Sequence, residues 1–370
     1  MTRFIFFFLP AALFSFAPFA NLSAAPDSWQ RAIGPWAWSF PHDHGAHPAF
    51  KSEWWYFTGN LRDARQRRFG YQLTIFRQGV QMVPAQAESR WAVRDFYFGH
   101  FTISDIDGGQ FHVRERVSRG ALGEAKAATG QMDVAIGNWT ITQGADEKIH
   151  LAAREPGMAI DFDAHPLKPL VLEGVAGLSR KAEGAGEASY YYSYPRVATI
   201  GRLELNGETH EVSGLSWFDH EFSTSSLSAD EAGWDWFCVQ LDHNEELMLY
   251  AMRDKSGAVD PASEGTWIAA DGTSQRLPPG SFSITKLGSW HSPATGATYP
   301  AGWHLLVPGH HADLTISPAM ADQELHLEKM GALDYWEGAC SAHGTVNGRS
   351  VSGEGYTELT GYAGTLQTGL

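Results

Sequence analysis

Glu53-Trp54-Trp55-Tyr56-Phe57-Thr58-Gly59-Asn60-Leu61 decides the fold. Four adjacent aromatic rings with a Gly-Asn break near the end suit a pleated, half-buried surface, so the stretch predicts a strand leading to a turn. Phe69 to Phe76 alternates Phe, Tyr, Leu and Ile with polar positions. The two runs together predict a hairpin through the loop from Asp63 to Arg68. Asp95 to Ile103 repeats the alternation, and shorter runs follow near Phe111, Met132, Trp139 and Ile149, with Gly, Asn or Asp between them. A second set runs from Val197 through Val212 to Phe218, Trp234 to Leu241, Leu247 to Met252 and on to Tyr335–Gly344, with a hairpin turn at Asn347-Gly348 near the end. No tract carries a helical period. The expected fold is all-β, a meander closing as a barrel or sandwich.

The opening stretch has an echo. Trp234-Asp235-Trp236-Phe237-Cys238 with Leu241 resembles it, and each copy is followed by a second apolar strand and a charged turn. A chain of 370 residues is longer than one core usually supports. Two copies of one β unit account for both the length and the absence of helices. We expect an export segment at 1–25, an extended lead-in at 26–47, and two β-barrel domains at 48–190 and 191–370.

Arg3, the apolar run Phe4 to Phe19 broken by Pro10 and Pro18, and Ser23-Ala24-Ala25 together read as a signal peptide. The run is too short for a comfortable transmembrane helix. The expectation is an exported, periplasmic or secreted protein without stable membrane insertion once the segment is removed. A formal net charge of −15 leaves no basic footprint for nucleic acid and disfavours an anionic membrane surface. Cys238 and Cys340 sit in apolar, strand-like runs, and we expect buried unpaired thiols, with one disulfide as the alternative. His42, Asp43, His44 and His47 have ligand chemistry, but no downstream HxH or HxxxH completes a site. They read as a polar loop, and the expectation is no metal and no cofactor. The Gly/Ala/Glu-rich stretch from Gly174 to Ser189 reads as a mobile loop leading into Tyr190-Tyr191-Tyr192-Ser193-Tyr194-Pro195-Arg196, whose rings and guanidinium suit a pocket rim.

The chemistry concentrates in Gly214-Leu215-Ser216-Trp217-Phe218-Asp219-His220-Glu221-Phe222. Two carboxylates and an imidazole stand among large aromatics, where desolvation moves pKa values toward those useful for proton transfer. Alternate strand residues share a face. Trp217, Asp219 and Glu221 therefore point one way and Phe218, His220 and Phe222 the other, which separates His220 from both acids.

Several further motifs, taken in order, carry a family resemblance: Glu53-Trp54-Trp55-Tyr56, Tyr191-Tyr192-Ser193 with Pro195-Arg196, Trp217-x-Asp219-His220-Glu221, Trp234-x-Trp236, Tyr335-Trp336-Glu337-Gly338 and Gly355-Tyr356-x-Glu358-Leu359-x-Gly361-Tyr362. Across roughly Pro48 to Tyr362 the chain resembles the lipocalin-like AttH and carotenoid 1,2-hydratase (hydroxyneurosporene synthase) family. The resemblance implies two tandem calycin-type barrels with an apolar cavity within or between them. It also implies varied chemistry, from hydration of an isolated C=C bond in carotenoids or prenylated phenolics to acceleration of cyclisations. The hydratase pattern of His-x-Trp and Tyr-x-Asp aligns with His220-Glu221-Phe222 and Tyr250-Ala251-Met252. The family tryptophan is thus Phe222, and the proton-donating aspartate is Met252.

Hydrating an unactivated alkene needs an acid near the double bond, aromatic faces for the cation and a base for water. The candidate catalytic residues are Asp219, His220, Glu221 and Tyr250, with His220 as base and Asp219 or Glu221 as acid. The candidate binding residues are Glu53, Trp55, Tyr191, Tyr192, Arg196, Trp217, Trp234 and Trp236. The expected ligand is a hydrophobic, isoprenoid or lipid-like small molecule, with delivery by a transporter as a further partnership. The alternatives are a non-catalytic carrier and a secreted hydrolase, although no Gly-x-Ser-x-Gly elbow is present.

Overall fold

A computed structural model describes residues 29–82, 92–225, 230–329 and 333–364. The expected export segment at 1–25 lies outside the described residues. Strands β1 (Ser52–Asp63) and β2 (Arg68–Gly79) form the expected hairpin, Phe57 facing Leu73. Asp63 closes it, its Oδ1 accepting from the backbone N–H groups of Arg65 at 2.8 Å and Arg67 at 3.0 Å. The meander continues through β3 (Asp95–Asp105), β4 (Gln110–Arg119), β5 (Ala125–Ala127), β6 (Asp133–Ile136), β7 (Trp139–Gln143), β8 (Ile149–Glu155) and β9 (Met158–Pro166). Short β10 (Val171–Leu172) and β11 (Leu178–Arg180) flank β12 (Ala188–Leu205), and β13 (Glu208–Ser223) returns beside β1. The order β4-β3-β2-β1-β13-β12-β9-β8-β7-β6-β5 curls until β6 touches β2, β3 and β4, a nearly closed barrel.

The second sheet is built from β14 (Glu231–Leu241), β15 (Glu246–Asp254), β16 (Glu264–Ile268), β17 (Ser274–Leu277) and β18 (Ser283–Lys286). A small separate hairpin follows, β19 (Trp290–His291) with β20 (Thr298–Tyr299). The sheet is completed by β21 (Trp303–Val307), β22 (Ala312–Pro318), β23 (Glu324–Leu327), β24 (Leu333–Val346) and β25 (Arg349–Leu359). Its order is β17-β16-β15-β14-β25-β24-β22-β21-β18, with β23 beside β24. The described residues hold no α-helix, only two 3-10 turns, and no helix long and apolar enough to cross a membrane. Sheet membership changes after Ser223 rather than at the expected 190/191 boundary, which falls inside β12. The reason is pairing: β12 and β13 are hydrogen-bonded to β9 and β1, and a tyrosine-rich run carries no mark of which sheet it joins.

The echo between the two stretches is architectural. In each sheet the first strand lies between the second and the last, β2-β1-β13 and β15-β14-β25. Matching Phe57 to Phe237 and Leu61 to Leu241 places Tyr56 on Trp236 and Asn60 on Gln240. Tyr56 faces Asp219 and Trp236 faces Glu358, so these two acids occupy matched positions. The sheets hold each other reciprocally: Asn60 Nδ2 donates to the Gly355 carbonyl at 3.0 Å, and Gln240 Nε2 to the Ser216 carbonyl at 3.0 Å. Such mutual contact between like surfaces is the geometry of a two-fold interface, here within one chain.

Each barrel has its own core, Trp55, Phe57, Leu73 and Ile75 in the first and Phe237, Val239, Leu249 and Trp303 in the second. A third cluster, including Tyr56, Tyr191, Trp217, Trp236 and Tyr250, lies between them. β1 is therefore buried on both faces, which explains its unbroken aromatic run. Cys238 belongs to the middle cluster and Cys340 to the second core, on opposite faces of the sheet, and both are buried free thiols.

Candidate functional site

Between the barrels lies a cavity of about 230 Å³. Alternation along β1 and β2 sends Trp54, Tyr56, Gln72 and Phe76 to its first wall, joined by Phe98 and His100 from β3. β13 and β12 contribute Asp219, Glu221 and Tyr191. The second barrel supplies Trp234, Trp236, Tyr250, Met252, Tyr335 and Glu358. An apolar enclosure with a few convergent polar groups is the usual form of a small-molecule site.

Asp219 is the most constrained group on this wall. Its Oδ1 accepts from Trp217 Nε1 at 2.7 Å and Ser193 Oγ at 2.6 Å, and its Oδ2 meets the Tyr191 hydroxyl at 2.8 Å. Burial lifts its carboxyl to about 7, against the lowering pull of those three donors, and the Glu221 charge adds to the lift. Trp236 Nε1 donates in turn to the Tyr191 oxygen at 3.3 Å. Two residues on, Glu221 forms an ion pair with Lys181 Nζ at 3.0 Å. The same ammonium stands over the Tyr191 and Tyr250 rings, 5.2 and 4.6 Å from their centroids. The stretch from Gly174 to Ser189 is thus not the free loop its composition suggests, because β11 pairs with β12 and carries Lys181 to the cavity.

Opposite stands Glu358, which burial pushes up to about 8. Its cross-strand neighbour Glu337 is raised well above the carboxylate range, first by burial and then by the Glu358 charge, and accepts from the Tyr56 hydroxyl at 2.6 Å. Both are outside the expected site. The signal was available: Glu358 lies in the Gly355–Tyr362 motif, and extending the repeat to the last strand places it on Asp219.

His220 faces away from this cavity. Its ring points into the first barrel, where Nε2 meets Glu53 Oε1 at 3.0 Å, Nδ1 meets the Tyr192 hydroxyl at 3.1 Å, and Trp55 stacks on it at 4.8 Å. Burial lowers the His220 imidazole despite the Glu53 carboxylate, keeping it neutral. The separation of His220 from Asp219 and Glu221 expected from strand alternation is the observed arrangement, so the expected base role lacks access to the cavity. Glu53 borders the cavity, but its carboxylate is taken by Arg77 Nε at 2.9 Å, His47 Nδ1 at 2.8 Å and His220. Burial would raise Glu53; Arg77 and the two histidines overcome it and hold the carboxyl well below its ordinary range.

Asp43, His44 and His47 of the polar lead-in are buried against the barrel, while His42 stays exposed. His44 Nδ1 meets the Tyr192 hydroxyl at 2.7 Å, and His47 stacks on Phe222 at 3.6 Å. His47, Glu53 and His220 offer three ligand atoms within 4.8 Å of one another, a set with metal-ligand chemistry. The three groups are hydrogen-bonded to one another through Glu53, and the Arg77 guanidinium already paired with that carboxylate opposes a second cation there, so the set reads as a buried ion-pair lock. Tyr192 and Trp55 belong to this inner network. Arg196 lies at the barrel junction, paired with Glu246 and donating to the Leu241 carbonyl at 2.9 Å. Of the expected residues, the cavity gathers Asp219, Glu221, Tyr250, Tyr191, Trp234 and Trp236, with Trp217 behind Asp219. Among the described residues no serine hydroxyl is hydrogen-bonded to a histidine, and Ser225 donates to the Ala188 carbonyl.

Similarity to known proteins agrees with this architecture. The crystal structure of an AttH protein from Nitrosomonas europaea superposes with a TM-score of 0.80 at 32% identity, covering 90% of this chain and 99% of that one. Kievitone hydratase from Nectria haematococca follows with a TM-score of 0.70 at 17% identity, covering 92% and 98%. CghA with Sch210972 has a TM-score of 0.54 at 14% identity, covering 86% and 90%. The last two likenesses concern the fold, a lipocalin-like one. No curated protein matches the sequence. The model of the AttH-like family matches residues 31–362, nearly the whole described chain, and the protein belongs to that family.

Proposed function

We propose that the protein is an exported hydro-lyase or isomerase that takes a hydrophobic, isoprenoid or lipid-like ligand between its barrels and protonates a C=C bond. The observation that carries this reading is Asp219, a carboxyl at the cavity wall whose pKa of about 7 leaves it substantially protonated near neutrality. A general acid works best with its pKa near the working pH. It replaces in chemistry the aspartate that the hydratase pattern places at Met252. Asp219 gives its proton to one alkene carbon, and the cationic carbon faces the rings of Trp234, Trp236 and Tyr191. Water adds to that carbon and passes a proton to the Glu221 carboxylate, which Lys181 holds in place. Loss of a neighbouring proton to the Glu221 carboxylate, instead of water addition, gives the isomer. The Asp219 and Glu221 protons then re-equilibrate.

The three donors already spent on Asp219 favour a second reading, a carrier in which the carboxyl is architecture. Incubation with a lipid extract in oxygen-18 water separates the two by mass spectrometry. A product heavier by one labelled water, or an isomer of unchanged mass, establishes catalysis. A chemically unchanged molecule retained by the protein makes it a carrier, and two fragments with label in one make it a hydrolase.

A further inference from the structure

Four carboxyls line the cavity, those of Glu53, Asp219, Glu221 and Glu358. Three of them are closed off and already committed. Glu53 is 1% exposed, Asp219 4% and Glu221 5%. Arg77 and two histidines hold the first, three donors the second and Lys181 the third. Glu358 is half-buried, its open side on the chamber, and it holds one neutral donor, the Trp234 side chain. A polar group left this open on a largely aromatic wall is where the polar atom of a ligand docks.

The surroundings of Glu358 fix what it offers. On β25 it stands between Trp236 of β14 and Glu337 of β24. Burial in the enclosed chamber raises its pKa most, to about 8; the Trp234 bond and the Lys181 charge pull it down, and the charges of Asp219 and Glu221 add to the rise. Around it Tyr56, Tyr335 and Glu337 are all raised as well, by burial first, so they stay protonated and add no charge. At neutral pH the group is therefore a neutral carboxylic acid. One of its oxygens accepts from the Trp234 indole, and its O–H is left to donate. A ligand carboxylate would bring a second negative charge within reach of Glu221, and a hydrocarbon would leave the O–H unpaired. The complement is a neutral acceptor oxygen, of which a ketone or ester carbonyl is the strongest.

We propose that Glu358 forms a carbonyl-recognition subsite on the second-barrel wall, so that the ligand is an apolar ketone or ester held by its oxygen on the side opposite Asp219. The inference rests on the cavity being the ligand site, as in the proposed function, but not on turnover. Its test is a binding series on the intact protein at pH 6.5 and 9.5, followed by quenching of tryptophan fluorescence. The probes are geranylacetone and the hydrocarbon in which a methylene replaces its carbonyl. At pH 6.5 the ketone should bind about tenfold tighter than the hydrocarbon, the worth of one hydrogen bond. At pH 9.5, where Glu358 has given up its proton, that gap should close. In Glu358→Gln, whose amide still donates, the gap should persist at both pH values. In Glu358→Leu it should vanish at both, with the hydrocarbon still bound. Equal wild-type affinities at pH 6.5, a gap that survives in Glu358→Leu, or a wild-type gap unchanged at pH 9.5 would each overturn the subsite while leaving an apolar ligand cavity standing. Failure to bind either probe would overturn both. The wild-type pH series decides the matter even where a variant folds poorly.

Discussion

At the scale of single residues, two buried carboxylates with opposite pKa shifts divide the labour. Asp219 is raised to about 7 and faces the cavity, whereas Glu53, held down by Arg77 and two histidines, faces the barrel interior. Asp219→Asn keeps the shape and loses the proton, so turnover should fall by about 10²–10⁴ while ligand affinity is retained. In the wild-type protein, turnover should decline as pH rises through about 7, since the protonated form is the working one. A pH–rate profile flat from 5 to 9 would remove Asp219 from the mechanism. Glu53→Gln should act on stability instead. It leaves the Arg77 charge buried with one fewer anion, and breaking such a pair costs about 3–5 kcal/mol. Urea unfolding measures this, and a loss below 1 kcal/mol would mean that Asp95, which Arg77 also bonds at 2.9 Å, carries the charge alone. The sequence made Asp219 legible because Trp217 and Phe222 bracket its motif and Trp234 and Trp236 follow closely. It left the Glu53–His220–His47 lock illegible, since His220 reaches His47 and Glu53 only when β13 pairs with β1. Gln72 and His100 were hidden differently. In an alternating strand such polar positions read as the solvent face, and only the second barrel makes them interior.

Among the elements, β1, β13, β14 and β25 bear the site, and close backbone approach sets their spacing. A Cβ on Gly355 would stand 2.0 Å from the Cys238 carbonyl oxygen, inside any real contact. Gly355→Ala must push β25 off β14 and shift Glu358 relative to Trp236, which it faces. Overpacking of this kind costs about 1–3 kcal/mol or more. We expect a lower melting temperature by calorimetry and weaker binding of an apolar probe, and an unchanged melting temperature would show that the strands yield freely. The strands themselves were readable from alternation, as was the repeat that relates β1 to β14. Which sheet claims β12 and β13 was not, since pairing partners leave no periodic trace when every candidate strand is aromatic-rich.

For the whole molecule, an inter-barrel space that buries acids makes stability depend on pH. Burial raises Glu358 and Glu173 to about 8 and Glu337 further, and each holds a proton in the fold that the unfolded chain releases near its ordinary value. Stability from such groups is fully present below the unfolded pKa and is lost as pH rises through the folded one. Glu53 and Asp43 are shifted down, so their contribution is lost only in strong acid. The lowered histidines His44, His100 and His220 oppose the trend only below their ordinary value of 6.5. Between pH 6.5 and 8.5 the raised carboxyls therefore decide the sign. The melting temperature should fall across that window, with a slope of up to ~1.4 kcal/mol per pH unit for each group titrating. A melting temperature that climbs toward pH 8.5 would place these carboxyls in a wetter setting. The reciprocal Asn60 and Gln240 contacts have one more consequence. A chamber bounded by matching strands on either side offers an elongated guest two nearly equivalent directions of entry. What gives the chamber a head and a tail is the set of places where the match fails, Tyr56 against Trp236 and Phe76 against Met252. Under the proposed function, regiochemistry, the choice of which end of a guest is attacked, would be written in the imperfections of the repeat.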